Sequence, residues 1–338
     1  MATQLWVGSF THGEQPGLRW FEVNDTTLRP AGSLEVTDPG WLVEGDDEIW
    51  AGLHLDESSL VRIVLDPVSV GESVSTGDAD ACHVALSPDA AWAALAHYTS
   101  GSIAIVGTGA EGGGPRLVEQ RRFTGHSGVD AARQEAPHAH HVAWLTNTWL
   151  LVCDLGADLV RSLVWDEGVL SELDPIVLPP GFGPRHLVVR EVGEGVNAMR
   201  QIAVAGELSG QVAAFELGVD ARVGWRQTAV VDGSLVGGGV PSGIRLLADD
   251  QVVLANRMIN TLAVLDWVDD GSLVLVDEFD SGGDHPRDIV VHDGRLWVAH
   301  LGSHEVTVLG ETSRGWRVLD RTEVPSPAAL CFREVVDG

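Results

Sequence analysis

The sequence predicts an all-β fold: a seven-bladed propeller whose ring closes by pairing N-terminal strands with the C-terminal strand. Three observations predict it. A Pro or Ala opens a short apolar, strand-like run seven times, at Pro39, Ala81, Ala139, Pro184, Pro241, Pro286 and Pro327. The steps between these residues are 42, 58, 45, 57, 45 and 41, averaging 48, which is the repeat length of a propeller blade. The last opener has no partner strand after it, whereas Gln4-Leu5-Trp6-Val7-Gly8 near the start reads like Arg295-Leu296-Trp297-Val298-Ala299 inside a repeat.

Each repeat resolves into strands in the same order. The opener is the first strand. A second apolar run follows, as in Trp92-Ala93-Ala94-Leu95, Leu150-Leu151-Val152-Cys153 and Val252-Val253-Leu254-Ala255. Turn residues such as Ser87-Pro88-Asp89, Asp249-Asp250 and Asp293-Gly294 separate the two, which makes a hairpin. A third run comes next, for example Ser102-Ile103-Ala104-Ile105-Val106 or Thr261-Leu262-Ala263-Val264-Leu265. A polar, edge-like fourth strand closes the unit. The orphaned opener is completed by N-terminal strands, which removes a free sheet edge. A β-sandwich, the competing all-β reading, does not need complementary termini. The repeats use nearly all of the 338 residues, so one domain over 1–338 is expected.

Composition narrows the function. The net charge of −28 argues against nucleic acid or an anionic membrane as partner. All 21 basic residues are Arg; the absence of Lys excludes Schiff-base chemistry, a P-loop and Lys general bases. No run of 18 apolar residues suggests a membrane helix, and Met1 to Gly8 lacks the basic start and apolar core of a signal peptide. A cytoplasmic monomer is therefore expected. Cys82, Cys153 and Cys331 sit in apolar strands without CxxC spacing, so reduced, buried thiols are expected and a structural zinc is not.

Antiparallel pairing places the start of each first strand and the end of each second strand at one rim. The first strand is innermost in a propeller, so this rim surrounds the central channel. It gathers His83, His140, His141, Arg185, His186, Arg287 and Asp288 from strand starts, and His97, Tyr98, Asp154, Glu207, Asn256, Arg257 and His300 from strand ends. A polar residue at a strand end commonly satisfies loop backbone groups. Guanidinium groups converging on one opening of an acidic chain point instead to a small anionic ligand, since the planar fork binds carboxylate or phosphate bidentately. His138-Ala139-His140 has a spacing that can serve a metal, but no further ligand is placed; no metal and no cofactor are expected. Asp154-Leu155-Gly156-Ala157-Asp158 reads equally as a calcium-like loop or as a strand end and turn.

These motifs resemble the seven-bladed lactonase propellers, the group that includes 6-phosphogluconolactonase. The resemblance rests on Trp6-Val7-Gly8-Ser9-Phe10-Thr11, Arg133-Gln134 with Pro137-His138-Ala139-His140, Asp154 to Asp158, Gly183-Pro184-Arg185-His186-Leu187, Gly206-Glu207-Leu208, Asn256-Arg257 and Pro286-Arg287-Asp288, and covers nearly the full length. Three departures stand out: His97 precedes Tyr98 where the family has Asn, Leu53-His54 replaces a Glu, and residues 190–201 carry an insertion-like stretch. The resemblance implies hydrolysis of 6-phosphogluconolactone, a step of carbohydrate metabolism in the pentose phosphate pathway. Through the related carboxymuconate cyclases it implies His138, Arg185, Glu207 and Arg257 as catalytic residues.

Matched to that chemistry, Glu207 or His138 takes a proton from water, and the choice between them is open at this point. Arg185 and Arg257 stabilise the oxyanion. Arg133, His140, His186, Arg287 and Asp288 bind substrate, with Arg133 and Arg287 on its phosphate or carboxylate. No Gly-x-Ser-x-Gly motif supports an acyl-enzyme. Two other classes use the same fold: a muconate cyclase, with an internal carboxylate in place of water, and a non-enzymatic binding propeller. For the latter, Trp165-Asp166 is a lone occurrence without blade periodicity.

Overall fold

A computed structural model describes residues 2–11, 16–109, 113–166, 168–193, 199–218 and 224–335. The core of the insertion-like stretch, 194–198, lies outside the described residues. Seven four-stranded antiparallel sheets are arranged as blades. Blades one to six occupy 39–75, 81–122, 139–177, 184–232, 240–280 and 286–323, and blade seven combines 327–335 with 2–34. Six innermost strands begin at the residues expected from the sequence; that of blade five begins one residue early, at Val240. Consecutive inner strands lie against one another all the way round, from Pro327–Val335 and Pro39–Glu44 back to Pro286–His292.

Closure is a long antiparallel pairing between Ala2–Ser9 and Pro327–Val335, with Leu5 opposite Phe332 and Ser9 opposite Pro327. Sequence distance is thus spent on a contact that seals the ring and leaves the sheet of blade seven no open inner edge. Trp6 is fully buried there and stacks on Trp20, ring centroids 4.7 Å apart.

The apolar runs that lack alternation are the middle strands. Trp149–Asp154 and Trp92–His97 are buried on both faces, because each blade is packed between two others. Outer strands such as Arg116–Arg122 and Val169–Val177 are largely exposed and polar. The cores lie between blades: one cluster joins Trp50 and Leu60 of blade one to Val84 and Leu95 of blade two. Among the described residues no helix is long and apolar enough to cross a membrane.

One irregularity positions the site. In each of six blades the register slips just after the first residue of the inner strand: between Pro39 and Trp41, Ala81 and His83, Ala139 and His141, Pro184 and His186, Pro241 and Ile244, and Pro286 and Asp288. Blade seven slips at the corresponding place, between Pro327 and Ala329. Each slip is a β-bulge, which leaves a residue without a partner and re-aims its side chain.

Candidate active site

The bulge residues build the mouth of the channel. Cys82, His140, Arg185 and Arg287 are bulge residues of blades two, three, four and six, and all four line a cavity of 410 Å³. A second set comes from the position just beyond the strand end that pairs with each opener. His54, Tyr98, Glu207 and Arg257 occupy it in blades one, two, four and five, and Phe10 does so in blade seven. Arg133, on the connection between blades two and three, and Asp38, ahead of blade one, complete the lining.

Glu207 is the centre of this cluster. It is 3% exposed. Oε1 accepts from Arg133 Nη2 at 2.6 Å, and Oε2 is held by Arg185 Nη1 and by Arg257 Nη2, the latter at 2.8 Å. Burial alone raises a carboxyl pKa, but Arg185, Arg257, His140 and Arg133 outweigh it and hold Glu207 well below the usual carboxylate range. Glu207 is therefore a fixed anion that ties three guanidinium groups from different parts of the ring. Burial and Arg185 pull the Arg257 pKa down, and Glu207 opposes them; an Arg starts high enough to stay charged regardless.

The His140 ring stands beside this cluster, and its Nδ1 is buried and unpartnered. Burial, reinforced by Arg185, holds its pKa well below that of a free imidazole, with Glu207 opposing. The ring is neutral and one nitrogen is an acceptor. Tyr98 bridges the two halves of the wall. Its hydroxyl accepts from Arg133 Nε at 2.9 Å, and its ring edge meets His140, centroids 5.6 Å apart.

His138 is elsewhere, a correction to the catalytic role expected for it. Its ring stacks on the back of Tyr98 at 4.5 Å. Nδ1 contacts the Tyr98 carbonyl at 3.0 Å and Nε2 contacts Glu135 at 3.2 Å. Both nitrogens are engaged, and the ring does not line the cavity. The cause is local: His138 lies before the strand, Ala139 pairs with Asp154, and His140 is the unpaired bulge residue.

His186 and Asp288 are likewise not in the cavity wall. Each follows a bulge residue and points into the channel one layer deeper. There His83, His141 and His186 pack on one another and on Trp41, with centroids of 3.9 Å for His83–His141 and 4.9 Å for His141–His186. Asp288 Oδ1 accepts from Arg245 Nη2 at 2.7 Å, and its other oxygen accepts from the Leu330 backbone N–H at 2.9 Å. This layer is a buried plug. Burial pushes the His141 pKa down to about 3, so the plug imidazoles are neutral.

The strand-end residues split in the same way. His97, Asp154, Asn256 and His300 are fully buried and fasten loops. His97 and His300 each meet a Thr hydroxyl at 2.8 Å, Asn256 donates to the Gly233 carbonyl at 2.8 Å, and Asp154 holds Arg161 and the His138 N–H. Asp154 to Asp158 is thus a turn stitched to the loop of residues 134–138, with Gln134 Nε2 donating to Asp158 at 2.7 Å. Among the described residues, no group of His, Cys, Asp and Glu has an arrangement that could hold a metal ion.

Sequence reading had not placed Phe10, Asp38, His54 or Cys82 in the site. Aligning the repeats on the opener would have found two of them: Cys82 stands in the column of His140, Arg185 and Arg287, and His54 in that of Tyr98, Glu207 and Arg257.

The mouth of the propeller thus brings together four Arg, two carboxylates and two imidazoles. The chain belongs to the lactonase, 7-bladed beta-propeller family, whose model matches residues 4–332. It is 29% identical over 150 residues to a 6-phosphogluconolactonase of Formosa agariphila, covering 42% of this chain and 40% of that protein. The chain spans under half the length of the curated relatives it matches. Similar solved structures include a periplasmic gluconolactonase of Pseudomonas aeruginosa, with a TM-score of 0.87, 23% identity and coverage of 99% of this chain and 100% of that one. A protein from Lactobacillus plantarum has the same TM-score, 24% identity and the same coverage. At these identities the structures show the shared fold.

Proposed function

We propose that the protein hydrolyses an anionic sugar-acid lactone, 6-phosphogluconolactone, to the open acid, as a cytoplasmic monomer serving the pentose phosphate pathway. The observation that carries this reading is the neutral imidazole of His140 beside guanidinium groups whose positions Glu207 fixes. Glu207 cannot take a proton from water while all three Arg hold its oxygens, so the base is His140. His140 removes a proton from water, and the hydroxide oxygen bonds to the lactone carbonyl carbon. Arg185 and Arg257 each give Glu207 one of five N–H donors. Their remaining donors serve the developing oxyanion, at about 3 kcal/mol per well-placed donor. Collapse breaks the acyl carbon–ring oxygen bond, and the imidazolium returns its proton to the departing alkoxide.

Proton release from 6-phosphogluconolactone, corrected for spontaneous opening, tests this beside turnover of a carboxymuconate. Enzyme-dependent hydrolysis of the lactone that falls at least ~10²-fold in Arg185→Ala supports it. Turnover of the muconate alone, or lactone hydrolysis within a few-fold of wild type in Arg185→Ala, overturns it.

A further inference from the structure

Four guanidinium groups open onto the cavity, and three of them are tied to Glu207. The fourth, Arg287, is different. Among the described residues it has no carboxylate within ion-pair distance and no hydrogen bond. Its guanidinium carbon lies 4.9 Å from the centroid of Phe10. Phe10 in turn packs on His54, centroids 5.4 Å apart. His54 Nδ1 is buried and unpartnered, and Nε2 faces Asp80 at 3.6 Å. The remaining carboxylate of this wall, Asp38, is occupied: Oδ1 accepts from the Thr11 backbone N–H at 2.5 Å and from its hydroxyl at 3.0 Å.

The ring order separates these groups. Glu207 and its Arg partners come from blades four and five and the connection entering blade three. Arg287, Phe10 and His54 come from blades six, seven and one, the arc that begins beside Arg257 of blade five. One arc thus holds a charge cluster tied to Glu207, and the other a cation without a carboxylate partner, set over an aromatic ring. The charges that line the cavity point the same way: Arg133, Arg185, Arg257 and Arg287 face Glu207 and Asp38, an excess of two positive charges. A dianion neutralises it; a carboxylate leaves one charge uncompensated.

We infer that Arg287, stacked on Phe10 and flanked by His54, is the specificity subsite for a phosphate monoester on the substrate, with the lactone carbonyl directed to His140 and Glu207. This rests on the lactonase reading above and narrows it, because Arg133, which the sequence also suggested for the anion, already has its charge paired with Glu207, whereas Arg287 does not. The fork of Arg287 presents two parallel N–H donors to two phosphate oxygens, and Phe10 and His54 wall the cavity beside it.

The test compares kcat/KM for 6-phosphogluconolactone and gluconolactone in wild type, Arg287→Gln, Arg287→Lys and His54→Gln. It also measures binding of the products 6-phosphogluconate and gluconate by calorimetry. Wild type prefers the phosphorylated lactone, and Arg287→Gln lowers the ratio of the two kcat/KM values about 100-fold, mainly through KM, the scale of charge-assisted hydrogen bonds lost. Arg287→Lys recovers part of it, and His54→Gln, which leaves the guanidinium in place, lowers it less than Arg287→Gln does. A ratio unchanged in Arg287→Gln, or equal losses on both lactones, overturns the subsite. If Arg287→Gln does not fold, Arg287→Lys decides by the same ratio. If wild type hydrolyses neither lactone, the lactonase reading fails, and product binding still judges the subsite: a phosphogluconate preference that Arg287→Lys weakens supports it, and no preference overturns it.

Discussion

Replacing Glu207 by Gln removes the one charge that organises the site while keeping its shape. In the native protein Glu207 is 3% exposed and accepts from three guanidinium groups. Removing one partner of a buried ion pair costs about 3–5 kcal/mol, because the remaining charge stays buried and uncompensated. Here two deeply buried Arg are left facing each other, so the upper part of that range applies. For 338 residues the unfolding entropy is about 0.7 kcal/mol/K, so ~4 kcal/mol lowers Tm by about 6 °C. Arg185 and Arg257 lose their shared tether, and kcat falls at least ~10²-fold. The stability deficit also depends on pH with a defined sign. The folded pKa of Glu207 is depressed, so its contribution is complete above the unfolded value of 4.5 and is lost as pH falls towards the folded one. Chemical denaturation from pH 7 to 3 should show the gap between wild type and Glu207→Gln constant down to about 4.5 and narrowing below it. A variant that melts within about 1 °C of wild type and hydrolyses the lactone within a few-fold would refute the organising role.

Three further outcomes are expected. His140→Gln lowers kcat by ~10²–10⁴-fold; in wild type the acid limb of kcat/KM lies below 6.5, because burial depresses the imidazole pKa and the acceptor form persists to lower pH, and a limb above 6.5 would exclude His140 as the base. Gly156→Ala puts a Cβ 1.8 Å from the Ala136 carbonyl oxygen, displacing the segment that carries Arg133; kcat/KM should drop roughly 10–100-fold, measured with the lactone assay, with Gly156→Ser no better. Cys82 lines the cavity, yet burial raises its pKa to about 12 and its Sγ faces the carbonyls of Ala96, Ala139 and His140; iodoacetamide at pH 8 should leave it unlabelled in the folded protein and label it in denaturant.

Blade number, inner strands and ring closure were legible in the sequence because they rest on coarse signals. An opener about every 48 residues is a repeat, and a second strand such as Leu150 to Cys153 is apolar on both faces because two blades cover it. The cluster was legible only as a set of rim positions. Which of two adjacent residues enters the cavity depends on a bulge, and a bulge carries no composition of its own: the extra residue is Gly40, Cys82, His140, Arg185, Ser242, Arg287 or Ala328 according to blade. A one-residue offset reverses a strand's facing. That is why His186 and Asp288 went to the plug while Arg185 and Arg287 went to the mouth, and why His140 and not His138 lines the cavity.

The same column explains how a near-symmetric ring makes an asymmetric site. Seven equivalent bulges offer seven equivalent slots around the channel, so the backbone supplies no polarity. Polarity arises from occupancy. Small residues at Gly40, Ser242 and Ala328 leave room, whereas Arg185 and Arg287 place cations on either side of it. The one carboxylate in the companion column, Glu207, then draws three Arg to its side and leaves Arg287 alone. In a chain of net charge −28, the lining of this mouth concentrates four of the 21 Arg, a local field opposite in sign to that of the whole chain. Under the proposed reaction, orientation within the mouth follows from which Arg is still unpaired, so a single Glu at position 207 would set both where the carbonyl reacts and where the substrate's own charge lies.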